Sequence, residues 1–267
     1  MIEIKQNYTL PDLLAIMSLL RSENGCPWDI EQTHASIRMN VIEEAYEVAE
    51  AIDSGDNALL KEELGDLLLQ IVFHAQIADE SGEYNFDGIC DGICKKLIYR
   101  HPHVFGKLSV GSTGEVLRNW DNLKSKSKGE ERSSDSLENV PHALPALMRG
   151  EKVGKRAAGA GFDFCDVNEV IARLKEELQE LEFAVINKNN DEIEDEFGDI
   201  LFTCCNLGRF LKKDSEKALT RAINKFIMRF RAVESLAEEK GKTFAEIPQQ
   251  ELNELWEAAK HNKNFGG

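Results

Sequence analysis

Two sets of carboxylates in this chain share one internal spacing. Glu177 and Glu180 are three residues apart, as are Glu196 and Asp199, and Glu177 precedes Glu196 by 19 residues. Glu44, Glu47, Glu63 and Asp66 repeat the arrangement, with the whole block offset by 133 residues. Residues three apart on a helix share a face. A short connection near 187–191 would make the two carrying helices antiparallel neighbours, so four carboxylates could converge on one point. Without a counter-charge such groups repel one another, and a bound cation removes the conflict. No His or Cys belongs to the repeated set, and oxygen-only donors favour Mg²⁺ or Mn²⁺ over zinc or copper. Mg²⁺ keeps positions open for water and substrate phosphates. The chemistry these residues point to is a metal bridge to an anionic phosphate substrate.

Other residues repeat with the acids. Lys225 and Arg229 are four apart after the second block, as Lys96 and Arg100 are after the first; Trp256 and Lys260 match Trp120 and Lys124. Lys225, Arg229 and Lys260 would supply positive charge, and Trp256 a flat surface for a base or ribose. Gly65 and Gly198 sit within helical patterns, where Gly costs about 1 kcal/mol relative to Ala. That suggests close approach of backbone to a ligand or to another helix. Taken singly, each feature has a plain alternative: a solvated acidic face, a surface Lys/Arg pair, a core Trp. The joint pattern, held at identical spacing in two diverged copies, argues for a metal site.

Competing constellations are weaker. Glu31-x-x-His34 is half of a di-iron signature without its second half. His101-Pro102-His103 has no copy in the second block and reads as a cap or an interface. The six cysteines form no Cys-x-x-Cys pair, and there is no Gly-x-x-x-x-Gly-Lys phosphate loop.

The elements that must position these groups read as helices almost everywhere. Apolar residues recur at helical spacing after Pro11, over about 32–53, 57–80 and from 86 to before His101, then at about 166–187, 191–211, 215–240 and 248–260. Alternating strands are absent, so the expected fold is all-α. The stretch from Lys124 is polar and Ser-rich and reads as a mobile linker. The division expected is a helical domain over 1–123, a linker over 124–144 and a second helical domain over 145–267, two products of a duplication.

Composition narrows the partners. The chain has 267 residues, with 32 basic and 48 acidic side chains and a formal net charge of −16. A nucleic-acid polymer or an anionic membrane surface needs basic patches, so neither is expected as the main partner. No apolar run approaches a membrane span, and the first residues carry no signal pattern. Free thiols in a reducing cytoplasm are the simplest expectation.

The Glu-Glu-x-x-Glu and Glu-x-x-Asp pattern on paired helices resembles the MazG family of all-α nucleoside triphosphate pyrophosphohydrolases. The likeness to its tandem-domain bacterial members extends over essentially the whole chain. It is carried by Glu23-Asn24-Gly25-Cys26-Pro27-Trp28-Asp29, Arg100-His101-Pro102-His103-Val104-Phe105, Leu144-Pro145-Ala146-Leu147-Met148 and Gly161-Phe162-Asp163, besides the two acid blocks. Phe164 departs from the Trp usual after Gly-Phe-Asp. The resemblance implies two antiparallel helical bundles of the MazG type and a homodimer that builds the site from both protomers. It also implies Mg²⁺-dependent hydrolysis of nucleoside triphosphates, ATP among them, to monophosphate and pyrophosphate. It carries metal ligation onto Glu177, Glu180, Glu196 and Asp199, with a possible second site at Glu44, Glu47, Glu63 and Asp66. Nucleotide contact is carried onto Arg173 to Glu177, Glu192 to Asp195, Lys225 to Arg229, and Trp256.

Within that chemistry Lys225 and Arg229 would stabilise the triphosphate and the leaving pyrophosphate. Glu176, outside the ligand set, is the leading candidate to orient or deprotonate water. The alternatives are a nucleotide-binding regulator without turnover and an acidic helical interaction protein.

The second half is expected to carry the main activity. Beyond its acids the helix face continues through Thr203 and Asn206, where the first half has Gln70 and Phe73. Asn206 can both donate to and accept from a nucleotide; Phe73 can only pack. The Lys225 and Arg229 helix also runs on past Phe230, whereas its counterpart stops at His101-Pro102.

Overall fold

A computed structural model describes residues 4–261, and among them there is no strand. The chain divides into two units, Met1–Lys124 and Ser125–Gly267.

In the first unit α1 (Leu10–Leu20) and the short α2 (Pro27–Glu31) precede the long hairpin of α3 (Arg38–Ser54) and α4 (Asn57–Glu80). Gly55 ends α3 in the left-handed conformation (φ 73°), where a side chain would be strained. Asp56 then caps α4 by accepting from the amides of Ala58 and Leu59. Two residues thus reverse the chain and place α3 beside α4. Met17, Ile37, Val72, Phe73 and Ile77 form the core against α1. Arg21 clamps the ends of α1 and α4 through Glu80 at 2.7 Å, which holds that carboxyl below its usual range. There follow α5 (Phe86–Arg100), α6 (Pro102–Phe105) and α7 (Thr113–Ser127).

The second unit repeats the hairpin as α10 (Val167–Asn187) and α11 (Asn190–Phe210), preceded by α8 (Ser133–Glu138) and α9 (Ala146–Gly159). Asp166 caps α10. Lys188 (φ 54°) takes the left-handed place that Gly55 takes in the first unit. Then come α12 (Ser215–Glu239), a 3₁₀ turn at Phe244–Glu246 and α13 (Gln249–His261). Ala232, Val233, Ala237, Ile247, Leu255 and Ala259 make a core between α12 and α13, with Trp256 packed against it.

The expected linker is not one along its whole length. Helix α7 continues through Ser127, α8 lies inside 124–144, and Val140 is fully buried. Leu137 and Val140 are the apolar residues that the Ser-rich sequence hides, and Arg156 of α9 donates to the Ser136 carbonyl.

Helix α9 was not legible from apolar spacing, because its contact with α11 is made by small residues. Gly150 faces Cys205, and Gly154 faces Asn206. A Cβ on Gly154 would overlap Asn206 Oδ1, in a side chain that is itself buried. Gly154→Ala is therefore expected to destabilise the fold by about 1–2 kcal/mol despite better helix propensity. A urea midpoint at or above that of the unsubstituted chain would contradict this packing.

Candidate metal centre

The hairpin geometry brings the predicted acids together. In the second unit one ligand atom each from Glu177, Glu196 and Asp199 lie within 4.8 Å of one another. Glu177 belongs to α10 and the other two to α11, so the cluster depends on the hairpin turn at Lys188 and Asn189. Glu180 stands at the rim: it is not in the three-atom group, but it lies close enough to raise the pKa of Glu177 and of Glu196. The first unit repeats the cluster with Glu44, Glu63 and Asp66, and Glu47 is close enough to raise the pKa of Glu44.

A divalent cation fits this donor set. All donors are oxygens, and Glu177 is only 3% exposed while its Oε2 has no hydrogen-bond partner. A buried carboxylate oxygen without a partner is costly, and a metal ion would satisfy it. Desolvation raises the pKa of Glu177, against the lowering effect of Arg173, with Glu180 and Asp199 adding to the rise. Desolvation and then neighbouring acids raise Glu44, Glu63 and Glu196 in the same way.

Such carboxyls keep their protons longer in the folded chain than in the unfolded one. Folding is then favoured as pH falls toward the raised values and disfavoured as pH rises through them. The melting temperature in EDTA is expected to increase as pH is lowered from neutrality toward the ordinary carboxylate range. Saturating divalent metal should flatten that slope, and an EDTA profile that falls in this window would oppose the repulsion argument.

The structure assigns several predicted residues other surroundings. Asn206 does not offer a free amide: it is buried against Gly154, donates to the Phe202 carbonyl at 3.3 Å and accepts from Arg209 at 3.2 Å. Within this chain it packs in the α9–α11 contact. Trp256 has Phe226 against it with ring centroids 5.0 Å apart, so one face is already covered. Lys260 pairs with Glu257 at 2.6 Å. Glu176 is exposed and bonded to Arg173 at 3.2 Å. Glu192 and Asp195 lie exposed on the first turns of α11, with Asp195 close enough to raise Glu196.

Lys225 is exposed on α12; Arg229 is half-buried with its Nε lacking a partner. No hydrogen bond or ion pair among the described residues joins either to the carboxylates. Gly65 and Gly198 have nothing within 4 Å of where a Cβ would stand, so neither makes the tight contact expected of it within the chain.

Sequence reasoning missed Arg209. It chelates Asp163, with Nη1 2.9 Å from Oδ2, and fixes the loop before α10 to the end of α11. The Gly-Phe-Asp motif thereby gains a structural role, and Asp163 is held below its usual pKa chiefly by that bond. In the first unit Arg100 lies over the Trp120 ring at 5.4 Å, and His101 meets the same ring at 4.7 Å.

The chain is similar in sequence to known proteins. The profile of the MazG nucleotide pyrophosphohydrolase domain matches residues 32–105 and again 166–234. The nucleoside triphosphate pyrophosphohydrolase/pyrophosphatase MazG of Thermotoga maritima is 45% identical over 93% of this chain and 94% of its own length. The nucleoside triphosphate pyrophosphohydrolase of Escherichia coli K12 is 41% identical over 94% of this chain and 97% of its own length. A solved structure of a MazG-related protein from Thermotoga maritima covers 43% of this chain at 28% identity with a TM-score of 0.38. Both carboxylate hairpins fall within the matched segments, and the chain belongs to the MazG family, with two copies of its domain.

Proposed function

We propose that this protein hydrolyses nucleoside triphosphates, ATP included, to nucleoside monophosphate and pyrophosphate with Mg²⁺, for which Mn²⁺ can substitute, and that the second unit carries most of the turnover. The observation that carries the reading is the Glu177, Glu196 and Asp199 cluster with its buried, unpartnered Glu177 Oε2. Glu177, Glu180, Glu196 and Asp199 would hold the ion; when bound, it supplies a Lewis acid for the phosphate oxygens.

The chain's own residues do the rest. Lys225 and Arg229 neutralise the triphosphate and the departing pyrophosphate. Arg173, with Glu192 and Asp195 on the first turns of α11, contacts the nucleotide, and Trp256 receives a base or ribose. Glu176 orients or deprotonates water.

Two observations favour the second unit. Its Lys/Arg helix has 25 residues against 15 in α5. In the first unit the matching Arg100 and Trp120 are packed on each other.

The same reading holds the protein to be a homodimer of the cytoplasm. Leu219, Ile223, Phe226, Ile227 and Phe230 of α12 are each more than 40% exposed, an apolar row suited to cover by a second copy. That row is on the helix bearing Lys225 and Arg229, which this chain alone does not bond to its acids. All six cysteines are free thiols, in keeping with a reducing compartment. Among the described residues no helix is long and apolar enough to cross a membrane.

The test is to pass the full chain through a sizing column and incubate each fraction with each NTP and Mg²⁺. Monophosphate and pyrophosphate should follow the dimer peak. Diphosphate and phosphate would contradict the reaction, and tight Mg-NTP binding without products would make the protein a regulator.

A further inference from the structure

One difference in charge between the two copies lies directly beside the acids. At the 133-residue offset Arg173 stands where the first unit has Asn40. Its guanidinium lies among the acids: Nε is 2.6 Å from Glu177 Oε1, Nη1 3.2 Å from Glu176 and Nη2 3.9 Å from Glu180. An exposed helical ion pair at this spacing is ordinary and weak. Here, however, the partner is not exposed. The Glu177 side chain is 4% accessible, against 42% for Arg173, and its second oxygen has no partner. In the first unit Glu44 is more open and has no such cation beside it in the helix. The counter-ion accompanies the buried acid.

Arg173 and a divalent ion would draw on the same carboxylates. Four ionised acids carry −4, and Arg173 reduces this to −3. A divalent ion held by the same acids would bring −4 only to −2, but it would compete with the guanidinium for Glu177 and Glu180 and repel it at contact distance. The triphosphate, meanwhile, needs cationic donors, and guanidinium matches phosphate in geometry.

On the pyrophosphohydrolase reading above, we propose that Arg173 is an exchangeable counter-ion: it rests on Glu177 and Glu180 while these hold no metal ion, and turns to the triphosphate once they do. Its half-exposed stem lets the head swing without moving α10. By linkage, a side chain that opposes metal binding and favours nucleotide binding makes the two ligands cooperative. The second unit would then bind metal weakly alone and tightly with nucleotide. The first unit, with Asn40, would bind metal with little regard to nucleotide.

The experiment uses the full chain with Glu44→Gln and Glu63→Gln, so that only the second site reads. Mn²⁺ binding is followed by electron paramagnetic resonance at about pH 8, well above the ordinary carboxylate range. In this background Arg173→Met should tighten Mn²⁺ about fivefold without nucleotide. It should also weaken binding of an NTP analogue with a non-cleavable α–β bridge about tenfold. Opposite shifts are the signature.

Unchanged or weaker Mn²⁺ binding overturns the proposal, and so does tighter Mn²⁺ with unaltered analogue binding, which would leave a static ion pair. Arg173→Lys keeps the charge and should keep Mn²⁺ affinity near that of the parent, so a shift shared by both variants also overturns it. If Arg173→Met does not fold, Asn40→Arg with Glu177→Gln and Glu196→Gln gives the reverse test: Mn²⁺ at the first site should weaken, and no change overturns the idea. None of these readouts involves turnover, so failure of the hydrolase reading would show separately, as absence of monophosphate and pyrophosphate from the unsubstituted chain.

Discussion

Glu196→Ala and Asp199→Ala, each made in the full chain, are expected to cut turnover by about 10²–10³-fold and yet to raise the melting temperature in EDTA. The two effects have one cause. Both residues contribute to the three-atom cluster with Glu177, so either loss removes a ligand from a site whose other members cannot move closer without dragging a helix. In the metal-free protein the same loss removes a like charge from a group that raises the pKa of its neighbours. Most deletions of a functional side chain leave stability unchanged or lower it, so a gain in EDTA together with lost activity is diagnostic. A variant that keeps near-normal rates with Mg²⁺ would show that the carboxylate cluster is not the catalytic centre. Calorimetry and a pyrophosphate-release assay on the same preparations suffice.

The second large effect concerns the two units. Glu177→Ala/Glu180→Ala is expected to lower kcat/KM by about 10²-fold or more, and Glu44→Ala/Glu47→Ala by less than about fivefold. The first-unit acids are intact and clustered, so the difference must come from what surrounds them. Arg100 is committed to Trp120, and Asn40 replaces Arg173. A larger loss from the first pair would reverse the assignment. An isolated second unit should also be active, provided it starts at Ser125 rather than at residue 145. A fragment beginning at 145 omits α8 and the fully buried Val140, and loses the bond from Arg156 to Ser136.

The acid hairpins were readable because each is written locally. Spacing alone put Glu177 with Glu180 and Glu196 with Asp199, and a two-residue turn left no other way to fold the connection. Helices with broad apolar faces, such as α4 and α12, were equally plain. What failed was whatever depended on a distant partner. Helix α9 buries glycines rather than leucines, so it has no apolar period to read. Asn206 looked available because nothing in its own helix reveals that Gly154 leaves it just enough room. The Arg209–Asp163 clamp joins residues 46 apart, and a charge pair at that distance has no sequence signature. Arg173 was visible only through family resemblance, and its hold on Glu177 could not be seen before the rotamers were known.

The hairpin also sets an order of events during synthesis. All four second-unit acids lie between Glu177 and Asp199, across a reversal of two residues, so the loop that closes them is short and its entropic cost small. Contacts this local form early, and domains emerge from the ribosome N-terminal part first. Each acid cluster can therefore assemble while the helix that bears its lysine and arginine is still being made. The nascent chain must carry that repulsion alone, and in the first unit it does so without any arginine in the arrangement.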